Sequence, residues 1–212
     1  MDEEKNYVAN LSMMHIDALK ELGNIGSGNA ATALSSMLNT KVDMNIPSVK
    51  ILDIQEIANV IGGAGNQAAG IKFTLYEDFS GMMMFVMEKQ FAQVVLNILM
   101  NKNRDSFDKF EELGEMDMSA IKEVGNIIVS SYINAIARMT NMKIALSPPD
   151  IYIDTAKNLF NIPAIGIDKY GEKILFIQDG FINGQGKVTS YFLLIPEIKS
   201  LKKIFQAFGM DI

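Results

Sequence analysis

The chain has 212 residues, 49% of them hydrophobic and 21% charged, so it can bury a sizeable core in one large domain or two small units. Its net charge of −6 disfavours nucleic acid or an anionic membrane as the main partner, because both are bound through clustered lysines and arginines. With no cysteine and one histidine, His15, the chain has no thiol nucleophile, thiolate zinc site or two-histidine metal site.

The N-terminal segment opens acidic and lacks the basic and apolar regions of a signal peptide. No stretch of 18 apolar residues occurs anywhere in the chain. These features predict a soluble protein of the cytoplasm that does not insert into membranes.

The first half begins with a long helical pattern, for which Ser12 or Asp17 could be the first residue. A β-rich segment then runs to Pro47. Two further strands are predicted at IKFTLY and GMMMFVM, and an amphipathic helix at EKQFAQVVLNILM. The charged segment 101–115 is the expected junction with the second half.

The second half repeats this order. A long helix is expected to begin at Asp117 or Ser119, and a β-rich segment runs to Pro149. Strands are predicted at KILFIQ and VTSYFLLI, and a closing helix at PEIKSLKKIFQAF. The second half is a few residues longer at 179–187, DGFINGQGK, where we expect an extended hairpin loop.

The two halves align without gaps around their long helices, at an offset of 102 residues. The matched pairs are Glu21 and Glu123, Gly23 and Gly125, Asn24 and Asn126, Ile25 and Ile127, Ala33 and Ala135, and Pro47 and Pro149. We therefore predict a single domain over residues 1–212, built from repeats at about 10–105 and 112–212. Its class is α+β, a pseudo-twofold duplicated domain with a mostly antiparallel sheet and two long active-site helices on its outside.

Each long helix carries a narrow polar stripe. At about 100° per residue, four side chains fall within an arc of roughly 60°. They are Asp17, Glu21, Asn24 and Gly28 in the first repeat, and Ser119, Glu123, Asn126 and Ser130 in the second. The small last residue would let another backbone come close.

Two structural interpretations compete with a functional one. The stripe could be an ordinary solvated helix face, or a buried Asn–Glu pair that links the two halves. Gly23 and Gly125 lie in mid-helix, where glycine costs about 1 kcal/mol relative to alanine. Because both repeats carry that cost beside the same Glu and Asn, we favour a functional stripe.

The residue types in the stripe limit its chemistry. An asparagine amide can orient a water molecule but cannot act as a base or a nucleophile, and a glutamate can pair with a partner's lysine. One Glu and one Asn are poor metal ligands. The stripe therefore suits phosphoryl transfer on a substrate that brings its own electrophile and its own metal, since positioning and charge stabilisation then supply most of the catalysis.

At these residues the sequence resembles the CheC/CheX/FliY family of bacterial chemotaxis phosphatases, whose motif is [D/S]-x3-E-x2-N-x22-P. The first repeat matches it with Asp17, Glu21, Asn24 and Pro47, and the second with Ser119, Glu123, Asn126 and Pro149. Two complete motifs in one chain resemble the CheC-type members most.

The resemblance implies hydrolysis of the phospho-aspartate on the response regulator CheY. Asn24 and Asn126 would orient the attacking water, and Glu21 and Glu123 would pair with the regulator's invariant lysine. The regulator would supply Mg²⁺, so the chain needs no cofactor of its own. The other four motif residues, Asp17, Ser119, Pro47 and Pro149, would support the site. The receptor deamidase CheD is a further expected partner, and the alternative function is a non-catalytic adaptor for CheY and CheD.

Other features favour structural roles. The glycine-rich stretches 23–31 and 62–70 contain G-x-G-x-x-A, but each follows a helical pattern, whereas a dinucleotide site needs a preceding strand. His15 is expected at the surface or at a helix start. The fifteen methionines, including the run Met82–Met84, are expected mainly to fill the core.

Overall fold

The computed structural model describes residues 11–44, 48–53, 56, 66–100, 107–155, 158–159, 173–183 and 186–210. The helices are α1 (Met13–Leu38), α2 (Lys89–Leu99), α3 (Glu115–Thr140) and α4 (Ile198–Ala207), with a 3₁₀ turn at Phe110–Glu112. The strands are β1 (Asp43–Met44), β2 (Ser48–Asp53), β3 (Gln67–Glu77), β4 (Gly81–Glu88), β5 (Ile144–Leu146), β6 (Asp150–Thr155), β7 (Lys173–Asn183) and β8 (Gly186–Pro196). The predicted α+β class is confirmed. None of the helices in the described part of the chain combines the length and the apolar composition that a membrane span requires.

Helix α1 begins directly after Ser12, which is one of its two predicted starts. Ser12 is the N-cap, and its Oγ accepts a hydrogen bond from the His15 backbone N–H at 3.4 Å. The alternative start at Asp17 is wrong, because that residue lies more than a turn inside the helix. His15 is therefore at a helix start, as expected.

Helix α3 begins earlier than either predicted start, at Glu115 rather than at Asp117 or Ser119. Gly114 is its N-cap, and Asp117 accepts a hydrogen bond from the Gly114 N–H at 3.0 Å. The start is predicted too late because Asp117, the polar side chain that satisfies the open N–H group, lies inside the first turn and not in front of the helix. Both long helices have 26 residues.

The described strands form one eight-stranded sheet in which every pairing is antiparallel. The central order is β7-β8-β4-β3, so the two hairpins of the repeats lie side by side. The short strands cross over: β1 and β2 pair with β7 of the second repeat, while β5 and β6 pair with β3 of the first. Each repeat therefore completes the other's sheet.

The expected extended loop at 179–187 is wrong for most of its length. Strand β7 continues to Asn183, which pairs with Gly186 of β8, so residues 184–185 alone separate the strands. Phe181, Ile182 and Val188 favour a strand, and β1 hydrogen-bonds alongside at Phe181 and Ile182. The extra residues lengthen the hairpin, because a neighbouring strand from the other repeat is present to pair with it.

The core lies on both faces of the sheet's centre. In β4, Met83, Phe85 and Met87 pack into the main core together with side chains from the helices, while Met82, Met84 and Val86 pack into a smaller cluster on the opposite face. This alternation is the period of two expected of a strand. The prediction that the run Met82–Met84 fills the core is confirmed.

Buried glycines bring α1 and α3 close to their neighbours. A Cβ at Gly26 would collide with the Tyr132 ring of α3, and a Cβ at Gly125 would collide with Ile71 of β3. Tyr132 also hydrogen-bonds Ser27 through their hydroxyl groups, 2.5 Å apart. The mid-helix glycine at position 125 is therefore explained by packing against the sheet and does not argue for a functional stripe. The glycine-rich stretch 23–31 lies inside α1 and forms no phosphate-binding loop.

Candidate functional site

The polar stripes of α1 and α3 face away from the core. Glu21, Asn24 and Glu123 are exposed, and Asn126 is half-buried. This exposure excludes the interpretation that a buried Asn–Glu pair links the two halves. In each helix the Glu and Asn are three residues apart, so their side chains are neighbours on one face.

The helix register holds this face outward. Gly26 packs against Tyr132, and it lies about 160° around α1 from Asn24 when each residue advances about 100°. In α3, Gly125 and Tyr132 point into the core, which directs Glu123 to the solvent. The packing of the two helices therefore fixes the direction in which each candidate side chain points.

The two amides differ in their hydrogen bonds. Asn126 Oδ1 accepts a long hydrogen bond, 3.5 Å, from Ser130 Oγ one turn later. At the equivalent position of α1 stands Gly28, which has no side chain to donate, and the Asn24 side chain makes no hydrogen bond to another residue of the described part of the chain. Both amides keep hydrogen-bonding capacity for a water molecule or a partner.

Gly28 differs from the buried glycines of the same helix. It is exposed, and a Cβ built on it would meet nothing within 4 Å. Among the described residues, no backbone comes close at the end of the α1 stripe, and the space above Gly28 is open. That the small residue admits a partner's backbone stays a prediction.

The supporting motif residues lie in different surroundings. Asp17 is exposed and forms an ion pair with Lys20 at 2.9 Å, which in water contributes little to stability. Ser119 is also exposed, and Pro149 lies in the short connection between β5 and β6. Pro47 lies outside the described residues. Their supporting role stays a prediction.

The site is a surface rather than a pocket. A depression of about 360 Å³ exists near Asn66, Glu88, Lys89 and Asp108, and no residue of either stripe lines it. In the described part of the chain, no group of three His, Asp or Glu residues converges as metal ligands would. The convex helix faces can act on a group only if a partner brings it to them.

Two further side chains on these faces were not singled out from the sequence. Met14 and Met116 are exposed, and each lies seven residues before the Glu of its stripe. The two methionines are separated by 102 residues, the offset of the repeats, and this could have marked them as equivalent positions. The expectation that methionines mainly fill the core did not reveal their exposure, because exposure depends on the packing of the whole chain.

Comparison with known proteins agrees with the repeat. The CheC-like family matches twice, over residues 14–51 and 116–153. The chain is 30% identical over 202 residues to the CheY-P phosphatase CheC of Bacillus subtilis, covering 93% of this chain and 95% of that protein. It is 33% identical over 144 residues to the flagellar motor switch phosphatase FliY of B. subtilis, covering 68% of this chain but 37% of FliY.

Solved structures share the fold. FliY of Thermotoga maritima superposes with a TM-score of 0.75 at 22% identity, covering 94% of this chain and 98% of that one. A CheC-like superfamily protein from Shewanella sp. PV-4 superposes with a TM-score of 0.51 at 14% identity, covering 83% and 97%. The two family matches and the relative that is 30% identical over 93% of the chain establish that this chain belongs to the CheC-like family.

Proposed function

We propose that this chain hydrolyses the phospho-aspartate of a CheY-type response regulator, and that both long helices carry a site for the reaction. The chain is a protein phosphatase of the CheC-like family, and its relatives CheC and FliY are named as phosphatases, the former of CheY-P. The observation that carries the proposal is the pair Glu21 and Asn24, exposed on α1 and repeated as Glu123 and Asn126 on α3.

The asparagine positions water in this mechanism. Its side-chain oxygen accepts a hydrogen bond from a water molecule, and its NH₂ group donates to an oxygen of the phosphoryl group, so the water is held in line with the bond that breaks. The water oxygen then bonds to phosphorus while the bond from phosphorus to the aspartate oxygen breaks. The products are inorganic phosphate and the free carboxylate of the regulator.

The glutamate holds the two proteins in register. Glu21 or Glu123 pairs with the regulator's invariant lysine, which orients the asparagine three residues later towards the phosphoryl group. Such pairing adds specificity and fixes geometry more than it adds affinity. The family resemblance and the spacing of the two residues on one helix face support this assignment.

The regulator brings the remaining chemistry. It carries the aspartyl phosphate and the Mg²⁺ that offsets charge on the transferring group, so the phosphatase chain works without a cofactor of its own. An exposed helix face suits this division of labour, because its side chains can reach an active site that lies on another protein.

The resemblance supports a second partner and a place in the cell. We propose that the receptor deamidase CheD binds this chain, and that the chain works in the cytoplasm beside the regulator. A non-catalytic adaptor for CheY and CheD is the alternative function, and the assay below distinguishes the two.

The decisive measurement is the rate of phosphate release from a CheY-type regulator of the same organism, phosphorylated with acetyl phosphate. The chain should accelerate this release. The double variant Asn24→Ala and Asn126→Ala should lose the acceleration by about 100-fold or more, the size expected when an oriented catalytic amide is removed. Adding CheD to the same assay tests whether it alters the rate.

Asn29→Ala is a matched control, since it removes another amide from α1 about 140° around the helix from Asn24. It should keep the wild-type rate. If the double variant retains full activity, the catalytic assignment is wrong. If the wild-type chain binds the phosphorylated regulator without accelerating hydrolysis, the adaptor function replaces it.

A further inference from the structure

Met14 and Met116 occupy equivalent positions at the start of the two long helices, and both are exposed to solvent. Met14 is 64% exposed and Met116 is 73% exposed. Among the described residues, four large hydrophobic side chains are exposed, and the other two are Met13 and Tyr76. One exposed methionine needs no explanation, but the same exposure at the same position of both repeats indicates a contact surface.

Both methionines lie on the faces that carry the candidate sites. Met14 precedes Glu21 by seven residues, as Met116 precedes Glu123. Seven residues at about 100° each return to within about 20° of the same direction. Each methionine lies two turns before its glutamate and about one turn before the first residue of its stripe. It therefore extends the polar stripe by about one turn towards the N-terminus of the helix, with an apolar group at the end.

A partner that binds at the stripe is large enough to contact the methionine as well. A specific interface covers about 800 Å² on each side, a patch of about 16 Å radius. Asn24 lies ten residues from Met14, and Asn126 ten from Met116. Ten residues of α-helix span about 15 Å along the axis, and about 80° separates the two side chains around it. A folded protein centred on either asparagine therefore reaches the methionine at the edge of its contact surface.

We propose that Met14 and Met116 are apolar anchors for the phosphorylated response regulator, each packing against an apolar patch beside the regulator's phosphorylation site. The inference rests on the proposed function, because it assigns the same partner to both ends of each helix face. Methionine suits the task, since its unbranched and polarisable side chain adapts to the shape of a partner surface. The anchor binds the regulator and takes no part in the bond changes.

An anchor of this kind acts on binding and not on the chemical step. Replacing methionine with glutamine keeps the length of the side chain and removes its apolar end. The substitution should raise KM for the phosphorylated regulator by about three- to tenfold at the affected site and leave kcat unchanged.

The test uses variants in which one site is disabled. Met14→Gln is combined with Asn126→Ala, so that the α1 site alone is active, and Met116→Gln is combined with Asn24→Ala. Each is compared with its single-asparagine parent for kcat and KM, and for the dissociation constant of the regulator carrying beryllofluoride in place of the phosphoryl group. Thermal melting of each variant checks that it is folded.

Tyr76→Gln is the matched control. Tyr76 is exposed at the end of β3, on the sheet face opposite the main core, because Ile71, Phe73 and Leu75 of the same strand point into that core. Removing this apolar group should change neither KM nor the dissociation constant. An equal rise from Tyr76→Gln would mean that any loss of exposed apolar surface weakens binding, and the anchor proposal would be wrong.

The remaining outcomes separate the two proposals. Unchanged KM and dissociation constants in both methionine variants would overturn the anchors alone, provided that the double asparagine variant is inactive. A double asparagine variant with full activity would overturn the proposed function itself. If Met14→Gln or Met116→Gln alters the oligomeric state and not KM, a second copy of the chain occupies this surface, and the regulator does not.

Discussion

His15 and Asp117 satisfy the same requirement with different atoms. Each lies at the third position of a long helix, where His15 Nδ1 accepts from the Ser12 N–H at 3.1 Å and Asp117 Oδ2 accepts from the Gly114 N–H at 3.0 Å. The first turn of a helix leaves its N–H groups open, and either side chain closes one of them. His15 and Asp117 are therefore structural counterparts although their residue types differ.

Tyr191 of β8 contacts Glu88 at the end of the neighbouring strand β4, and its hydroxyl donates a hydrogen bond to Glu88 Oε1 at 2.9 Å. Burial raises the pKa of this phenol above its ordinary value, and the nearby Glu88 carboxylate raises it further. The folded chain therefore holds the proton more tightly than the unfolded chain does. The stability that Tyr191 contributes is complete below the unfolded pKa of about 10 and is lost as the pH rises above it.

Tyr191→Phe should weaken this alkaline dependence. Between pH 9 and pH 11, the free energy of unfolding should fall more steeply in the wild-type chain than in the variant, by up to about 1.4 kcal/mol per pH unit above pH 10. Urea denaturation at a series of pH values measures both slopes. Parallel curves for the two proteins would show that the Tyr191 proton does not distinguish the folded chain from the unfolded one.

The long helices contain glycines of two kinds: buried ones that packing requires and an exposed one that packing does not require. Gly26 and Gly125 are buried, and each allows a close approach that a Cβ would block. Gly28 lies one turn beyond Asn24, is exposed, and has open space where a Cβ would stand. At this site the helix bears the cost of a glycine without any packing that requires it.

Alanine substitutions at the two kinds of glycine should change the free energy of unfolding in opposite directions. Gly125→Ala and Gly26→Ala should lower the free energy of unfolding, because overpacking costs about 1–3 kcal/mol and exceeds the gain in helix propensity. Gly28→Ala should raise it by up to about 1 kcal/mol, since propensity alone changes there. Urea denaturation of the three variants tests the order, and a Gly28→Ala variant no more stable than Gly125→Ala would contradict it.

For the molecule as a whole, the exchange of short strands is the decisive feature. The hairpin of each repeat is completed by strands from the other, through β1 and β2 on β7 and through β5 and β6 on β3. Without its partner, either repeat would expose the backbone groups of a long edge strand to solvent and to other chains. The repeats align without gaps around their long helices, yet neither contains a complete sheet.

A fragment of residues 107–212 should therefore fail to form a folded monomer. We expect it to aggregate or to dimerise by pairing its own β6 with β7 of a second copy, as β2 pairs with β7 in the intact chain. Light scattering and circular dichroism of the purified fragment measure this. Co-expression with residues 1–106 should recover a folded one-to-one complex. A stable, folded monomer of residues 107–212 would contradict the interdependence of the repeats.

Local sequence patterns predicted most elements of the fold. Helix periodicity placed α1 and α3, and apolar runs of strand length placed the hairpins β3–β4 and β7–β8, because these signals arise within one segment. The start of α3 and the continuation of β7 to Asn183 were missed. The first depends on Asp117 capping from within the helix, and the second on β1 arriving from the other repeat.

The duplication, the α+β class, the family resemblance and the paired Glu and Asn at a fixed spacing on two helices can all be read from the sequence. Three further features follow from long-range packing: Glu21, Asn24 and Glu123 face solvent, Gly125 packs against Ile71, and the repeats exchange strands. Periodicity defines which residues share a helix face. Which face is buried depends on the neighbours that long-range packing supplies.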